Sequence, residues 1–463
     1  MRIARPLAVS AVTVVAAALT ACGGGVDGTP GGSGVRDPYF PKAGNGGYDV
    51  THYGLRLSYD PGRHHLTGTA TITARATRDL SALALDLKGL DVAEVTVDGD
   101  RARWNRAGQD LTVRPADDLA GGESFRVTVR YAGAPETITD PDGSEEGWLR
   151  TRRGALALGE PTGSMAWFPG NHHPSDKATY DIEVTVPEDL RAESNGELTR
   201  QRTARGRTTF TWRTAEPMAS HVATLAIGDY EVTRSRTRSG LPVHTAVDPD
   251  RVRSSRPVLA RIPEIITWAE RNFGPYPFSS TGAIVAREED AGYALETQNR
   301  PVFPGTPDLT TLVHELAHQW YGNSVSPKTW RDMWLNEGFA TYAEWLWRED
   351  HGGDSAQETF DAFYAGGSAD PEIWAFPPAR PTDAAHISGA PVYVRGAMVL
   401  HRIRRTVGDA AFRDLLRGWA GKHRHGNADT ADFTAYVEQR APGKDFTAVW
   451  EDWLYGEGKP DLS

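Results

Sequence analysis

The chain has 463 residues, of which 39% are apolar and 24% charged, and its formal net charge at pH 7 is -11. That length is enough for two or three domains with their own cores, and the acidic balance argues against nucleic acid as a partner and against a polybasic patch as the main membrane anchor. The one cysteine, Cys22, excludes an intramolecular disulfide, so stability must come from core burial.

At the start of the chain, Arg2 and Arg5 supply positive charge before an apolar run from Pro6 to Leu19. Leu19-Thr20-Ala21 then places small residues before Cys22. This pattern is a secretory leader over residues 1–21. It resembles a bacterial lipoprotein signal, which implies acylation of Cys22 and a lipid anchor on the outer face of the cell membrane. No later stretch approaches the ~20 apolar residues that a membrane span needs. Residues 22–46 are dominated by glycine and are expected to form a flexible tether.

Between about Tyr48 and Gly240 the apolar residues recur with period two. Leu55-Arg56-Leu57-Ser58-Tyr59, Phe125-Arg126-Val127-Thr128-Val129 and Tyr180-Asp181-Ile182-Glu183-Val184 are examples. Turn pairs such as Asp98-Gly99 and Asn195-Gly196 separate the runs. The expectation is an all-β domain over 47–240, a sandwich or saddle. Beyond Leu241 the period changes. Val258 to Phe273 reads as an amphipathic helix stopped by Gly274-Pro275, with a small β component near Gly282 to Val285. From Leu309 helical patterns dominate, broken by loops such as Asp370 to Gly389. The whole is an α+β chain of more than one domain, with a mainly α domain over 241–463.

The chemistry gathers in that second domain. In His314-Glu315-Leu316-Ala317-His318 the two imidazoles lie four residues apart, so on a helix both project from one face. Asp308 is the expected N-cap and Gly322 the expected stop. Two nitrogens at that spacing suit a tetrahedral zinc ion, with Glu315 beside them as a general base. A third ligand is available in Trp334-Leu335-Asn336-Glu337-Gly338, where Glu337 follows His318 with eighteen residues between. It opens a second apolar helix. Glu344, two turns further along, is placed to hydrogen-bond a ligand histidine. His172-His173, in a Pro/Gly loop with no third partner at ligand spacing, reads as solvated, and His423 and His425 as surface residues.

The two motifs at this spacing resemble the zinc aminopeptidases related to aminopeptidase N and leukotriene hydrolase. The resemblance implies a β domain followed by a thermolysin-like catalytic domain and one Zn2+ per chain, held by His314, His318 and Glu337 with Glu315 as base. It extends to Tyr293-Ala294-Leu295-Glu296-Thr297, similar to the family's Gly-Ala-Met-Glu-Asn segment, and to Leu158-Gly159-Glu160 in the β domain. Glu296 and Glu160 are then the carboxylates that pair with a substrate's N-terminal amine. Leu158 stands where the family often has Gln. Val392-Tyr393-Val394-Arg395-Gly396-Ala397 is similar to the segment whose tyrosine faces the scissile carbonyl, making Tyr393 the oxyanion donor. The implied activity is removal of N-terminal residues from peptides with a free amine. A zinc endopeptidase using the same site, and a non-catalytic peptide-binding surface lipoprotein, are the alternative readings. The large helical C-terminal domain of many relatives has no counterpart in the sequence, which leads to the expectation of a more open cleft. Oligomeric state is not legible from the sequence.

Overall fold

The computed structural model of the protein describes residues 26–366 and 371–462. The leader and Cys22 lie outside the described residues. Among the described residues no helix is long and apolar enough to cross a membrane.

Alternation in the first domain becomes an eight-stranded sheet. Its central strands, Tyr48–Asp60 and His65–Ala76, pair antiparallel from Tyr48↔Ala76 to Asp60↔His65. Ser124–Gly133 flanks them on one side, and Lys177–Pro187, parallel to Tyr48–Asp60, on the other. Leu55, Leu57, Tyr59, Ile72, Val127, Val129, Ile182 and Val184 fill one core from this sheet.

A five-stranded sheet stands between the two domains. Its order is Thr137–Thr139, Glu145–Arg150, Ala155–Leu158, Leu225–Gly228 and Arg191–Ser194. Ala155 and Ala157 face the core of the β domain. Leu156 and Leu158 face a separate apolar cluster with Ile284, Leu295 and Val302 of the second domain. A sheet buried on both faces loses the polar alternation of a surface strand, which is why Ala155–Leu158 is apolar throughout. Loops at its edge are thereby held against the second domain.

Over residues 26–46 the expected flexible tether is corrected by the structure. Thr29–Pro30 pairs with Leu80–Asp86, and Gly32–Ser33 with Asn45–Gly46. Here glycine serves close approach: a Cβ on Gly28 would stand 2.5 Å from the backbone carbon of Leu80. The segment also carries Asp37, buried at 3% exposure. Its carboxylate accepts backbone N–H bonds from Tyr39, Phe40 and Trp330 and lies 3.2 Å from His173 Nε2. His172 and His173 are therefore buried, contrary to the solvated reading. His172 Nε2 donates to the Phe168 carbonyl at 3.0 Å, and burial pushes its imidazole down to about 4, keeping it neutral. His423 and His425 are half-buried.

The second domain opens with strands Glu231–Arg236, Pro242–Val247, Thr281–Ala286 and Val302–Pro304. Its sheet thus begins before the boundary expected at 240. Among the described residues the domain has eight α-helices, the first two lying between the second and third of these strands: α1 Val252–Leu259, α2 Ile262–Phe273, α3 Leu309–Ala317, α4 Trp334–Asp350, α5 Ala356–Gly366, α6 Gly396–Val407, α7 Asp409–Lys422 and α8 Thr430–Arg440. The single helix expected over Val258 to Phe273 is two, broken after Leu259. Pro263, in the first turn of α2, needs no N–H partner there. Trp320, Trp330, Trp334, Trp345 and Trp347 all lie in the helical core.

Candidate metal centre

Helix α3 is started by Asp308, whose carboxylate accepts the Thr311 N–H at 2.7 Å. Leu312, Val313, Leu316 and Ala317 bury its inner face. The helix ends at Ala317, one residue before His318. Gly322 closes the turn with φ +124, and a Cβ there would meet His318 Nδ1 at 3.1 Å. Only glycine meets both demands without strain.

Helix α4 brings Glu337 to the same place. It crosses α6 backbone to backbone: a Cβ on Gly338 would lie 3.0 Å from the Gly396 carbonyl carbon. This contact carries the π-helical turn Pro391–Arg395 against the site. The Tyr393 ring consequently lies nearly parallel to His314, with centroids 6.0 Å apart. Arg395 holds the turn by donating to the carbonyls of Trp453, Asp452, Gly456 and Gly458.

The geometry fits a tetrahedral ion. His314 Nε2 and His318 Nε2 lie 3.1 and 3.4 Å from the same Glu337 oxygen. Ligands at zinc distances of about 2.0–2.2 Å stand about 3.3 Å apart along a tetrahedral edge. Both tautomers are fixed from behind. His314 Nδ1 is 2.6 Å from Glu344 Oε1, and His318 Nδ1 donates to the Tyr321 carbonyl at 2.9 Å. Each ring therefore turns the lone pair of Nε2 toward Glu337. Ligand atoms of His314, His318 and Glu337 fall within 4.8 Å of one another.

The electrostatics point the same way. Burial pushes the Glu337 carboxyl up, but His318 and His314 outweigh it and hold it at about 2. Burial pushes His318 down, yet Glu296 and Glu337 raise it to about 9. Burial also raises Glu315, to about 8, against the pull of the two histidines. In the protein alone, protons must balance this crowd of carboxylates; a divalent cation takes that role when bound.

Two further carboxylates from different domains join the site. Oxygens of Glu160, Glu296 and Glu337 lie within 4.8 Å of one another. Glu296 Oε1, Glu160 Oε2 and Glu315 Oε2 are buried with no hydrogen-bond partner. Burial raises Glu296 and Glu160, and in Glu160 the facing Glu296 adds to it. The Glu296 backbone is pinned by Asn323 Nδ2, which donates to its carbonyl at 2.6 Å. Leu158, at the family's Gln position, is fully buried in the interdomain cluster and presents no amide.

His314, Glu315, His318, Glu337, Glu296, Glu160 and Tyr393 line one cavity of about 420 Å3, together with Asp140, Asp142, Pro161, Tyr293 and Ile387. Sequence reasoning missed several residues in or behind the site. His221 Nε2 stands 3.7 Å from Glu160 Oε2, and Asn323 and Asp140 carried no motif at all. Only a model of the β topology could have found His221 and Asp140, because both reach the site through the interdomain sheet. Cys22 lies outside the described residues.

Comparison with known proteins agrees with this geometry. The Peptidase M1 N-terminal domain model matches residues 49–222, and the Peptidase family M1 domain model matches residues 290–453. A solved M1 zinc metallopeptidase from Deinococcus radiodurans is 32% identical, with a TM-score of 0.85, covering 93% of this chain and 98% of that one. A mutant from the same organism, equally similar, was solved bound to a Tyr-Ser-Ala substrate. Aminopeptidase 2 of Candida albicans is 23% identical over 88% of this chain and 47% of its own length. Human glutamyl aminopeptidase is 25% identical over 89% of this chain and 47% of its own length. The chain spans about half the length of the curated relatives it matches. It belongs to the M1 family of zinc metallopeptidases, with that family's two-domain fold and one catalytic zinc.

Replacing Glu344 with Gln should weaken zinc binding about 10–100-fold, because the Nδ1–H of His314 loses its charged acceptor. Competition with a chelator at equilibrium measures this directly. An unchanged zinc affinity would remove Glu344 from that role.

Proposed function

We propose that the chain is a zinc aminopeptidase that removes the first residue of peptides with a free amino group, tethered by acyl chains on Cys22 to the outer face of a bacterial cell membrane. The observation that carries the activity is the pair of buried carboxyls of Glu296 and Glu160 beside Glu337, each with one oxygen that makes no hydrogen bond. Buried anions without partners are costly unless a cation meets them. An N-terminal ammonium at that spot leaves only the first peptide bond within reach of His314, His318 and Glu337. The tripeptide substrate in the Deinococcus relative supports a peptide as occupant.

In this reading His314, His318 and Glu337 hold the ion. When bound, zinc supplies Lewis-acid polarisation of the carbonyl being cleaved. Glu315 takes a proton from the attacking water and passes it to the leaving amine. Tyr393 donates a hydrogen bond from its hydroxyl to the oxygen on which negative charge develops. Burial and the surrounding carboxylates hold that phenol protonated well beyond its usual range, so it remains a donor. Glu296 and Glu160 accept hydrogen bonds from the ammonium. The same pair separates this reading from an endopeptidase, which has no free amine to place there. The lipoprotein pattern ending at Cys22 supports the location.

The test of the activity is a matched pair of peptides, one free and one N-acetylated. The free peptide should be hydrolysed and the blocked one spared. Glu296→Ala should cut kcat/KM on the free peptide at least a hundredfold with zinc content unchanged, as expected for the loss of charge-assisted bonds of about 3 kcal/mol. Equal cleavage of both peptides would replace this reading with the endopeptidase. For the anchor, Cys22→Ala should release the protein from the membrane fraction or leave its leader uncleaved. Unchanged membrane retention with normal processing would contradict acylation.

A further inference from the structure

Glu160 is pinned at its backbone, where its carbonyl accepts the Tyr293 hydroxyl at 3.3 Å, but its carboxyl oxygen Oε2 is buried and makes no hydrogen bond. The imidazole of His221 faces that oxygen, with Nε2 3.7 Å away. His221 is 2% exposed, and neither of its ring nitrogens has a hydrogen-bond partner. A buried donor without an acceptor destabilises a fold, so this ring is a liability unless it serves Glu160.

The backbone that carries the ring is tied to both segments that supply the amine carboxylates. His221 lies in a single 3-10 turn, Ser220–Val222. On one side the turn meets the Glu160 segment. The Ser164 hydroxyl donates to the Ser220 carbonyl, and a Cβ on Gly159 would stand 2.5 Å from the His221 carbonyl oxygen, an approach only glycine permits. On the other side the turn meets the Glu296 segment. The Gln298 N–H donates to the Val222 carbonyl at 3.1 Å, and Asn195 Nδ2 donates to the Val222 and Gln298 carbonyls at 3.0 and 2.8 Å. The His221 ring packs edge to face with Trp330 of the helical core, centroids 5.0 Å apart. Burial, helped by Lys177, pushes the imidazole down to about 3. It therefore stands beside Glu160 as a neutral donor, which orients a carboxylate without cancelling its charge.

Resting on the aminopeptidase reading, we infer that His221 is a positioning residue for the substrate's amino group: it donates its Nε2–H to Glu160 Oε2 and so leaves the other oxygen of Glu160 turned toward the ammonium. The contact closes to about 2.9 Å by a small rotation of the Glu160 side chain when the ammonium is bound. The negative charge of Glu160 is then directed at the cation, opposite Glu296.

Binding of norleucine hydroxamate and of hexanoyl hydroxamate, the same compound without its amino group, to the zinc-loaded chain isolates what the amine contributes. The unaltered protein should bind the amino compound more tightly. In His221→Phe, which keeps a ring and removes the donor, the ratio of the two Kd values should fall about tenfold or more, the size of one hydrogen bond to a charged group, while the Kd of hexanoyl hydroxamate stays unchanged. His221→Gln, whose side-chain amide reaches the place of Nε2, should restore most of the ratio. A ring with a merely structural role would shift both compounds together. A ratio untouched by His221→Phe, a parallel loss for both compounds, or a loss that His221→Gln does not restore overturns the inference and leaves the aminopeptidase reading standing. If His221→Phe does not fold, His221→Asn takes its place, since its amide stops short at the position of Nδ1; equal ratios in His221→Asn and His221→Gln then overturn the inference. If the unaltered chain binds both compounds equally, the amine site itself is wrong, and the inference falls with the reading it rests on.

Discussion

Two imidazole nitrogens are pressed to within about a tetrahedral edge of one carboxylate oxygen in a place that water scarcely reaches. That crowding is the constraint around which the second domain is arranged. It requires the lone pairs of His314 and His318 to face inward, which the acceptors behind them enforce, Glu344 for one and the Tyr321 carbonyl for the other. It requires α4 to come close enough for Glu337 to enter, and the glycine contact between α4 and α6 permits this approach. It also requires a positive charge. Protons supply it in the protein alone, and a divalent cation supplies it with better directionality.

The β domain acts on the site as well as flanking it. The five-stranded sheet is apolar on both faces because each face meets a different core. Held in this way, it delivers Glu160 and the Asp140 turn to a cavity also lined by His314, Glu315 and Glu337 of the helices, with His221 beside Glu160. The gain is precision: carboxylates from two domains sit within one ion's reach of each other without a flexible loop between them. Lys177 adds to the junction, its ammonium donating to the carbonyls of Asn323 and Ser324 at 2.8 and 3.0 Å, directly beside the residue that pins Glu296.

What the sequence disclosed and what it hid divide along physical lines. His314, His318 and Glu337 were legible because helical spacing fixes their relative direction, and Glu344 because it lies two turns from Glu337 on the same helix. The period-two runs gave the β domain for the same reason. Glycine composition misled over residues 26–46, since glycine marks close backbone approach as readily as flexibility, and only the neighbours Leu80 and Gly46 distinguish the two. His172 and His173 looked solvated because their partners are remote in sequence: His173 meets Asp37 136 residues away. Asp140 and His221 belong to no motif. Their place at the cavity follows from strand order, which local pattern does not encode.

The claim on which all of this stands is that three side chains from α3 and α4, together with the turn after α3, share one ion. Metal analysis of the purified chain beside His318→Ala tests it most directly, with circular dichroism confirming that both are folded. One zinc per chain in the unaltered protein, and a loss of zinc by orders of magnitude in affinity for the variant, is the expected result. A variant that keeps a full zinc complement at the same affinity, or an unaltered chain that takes up no zinc when offered it, would contradict the account.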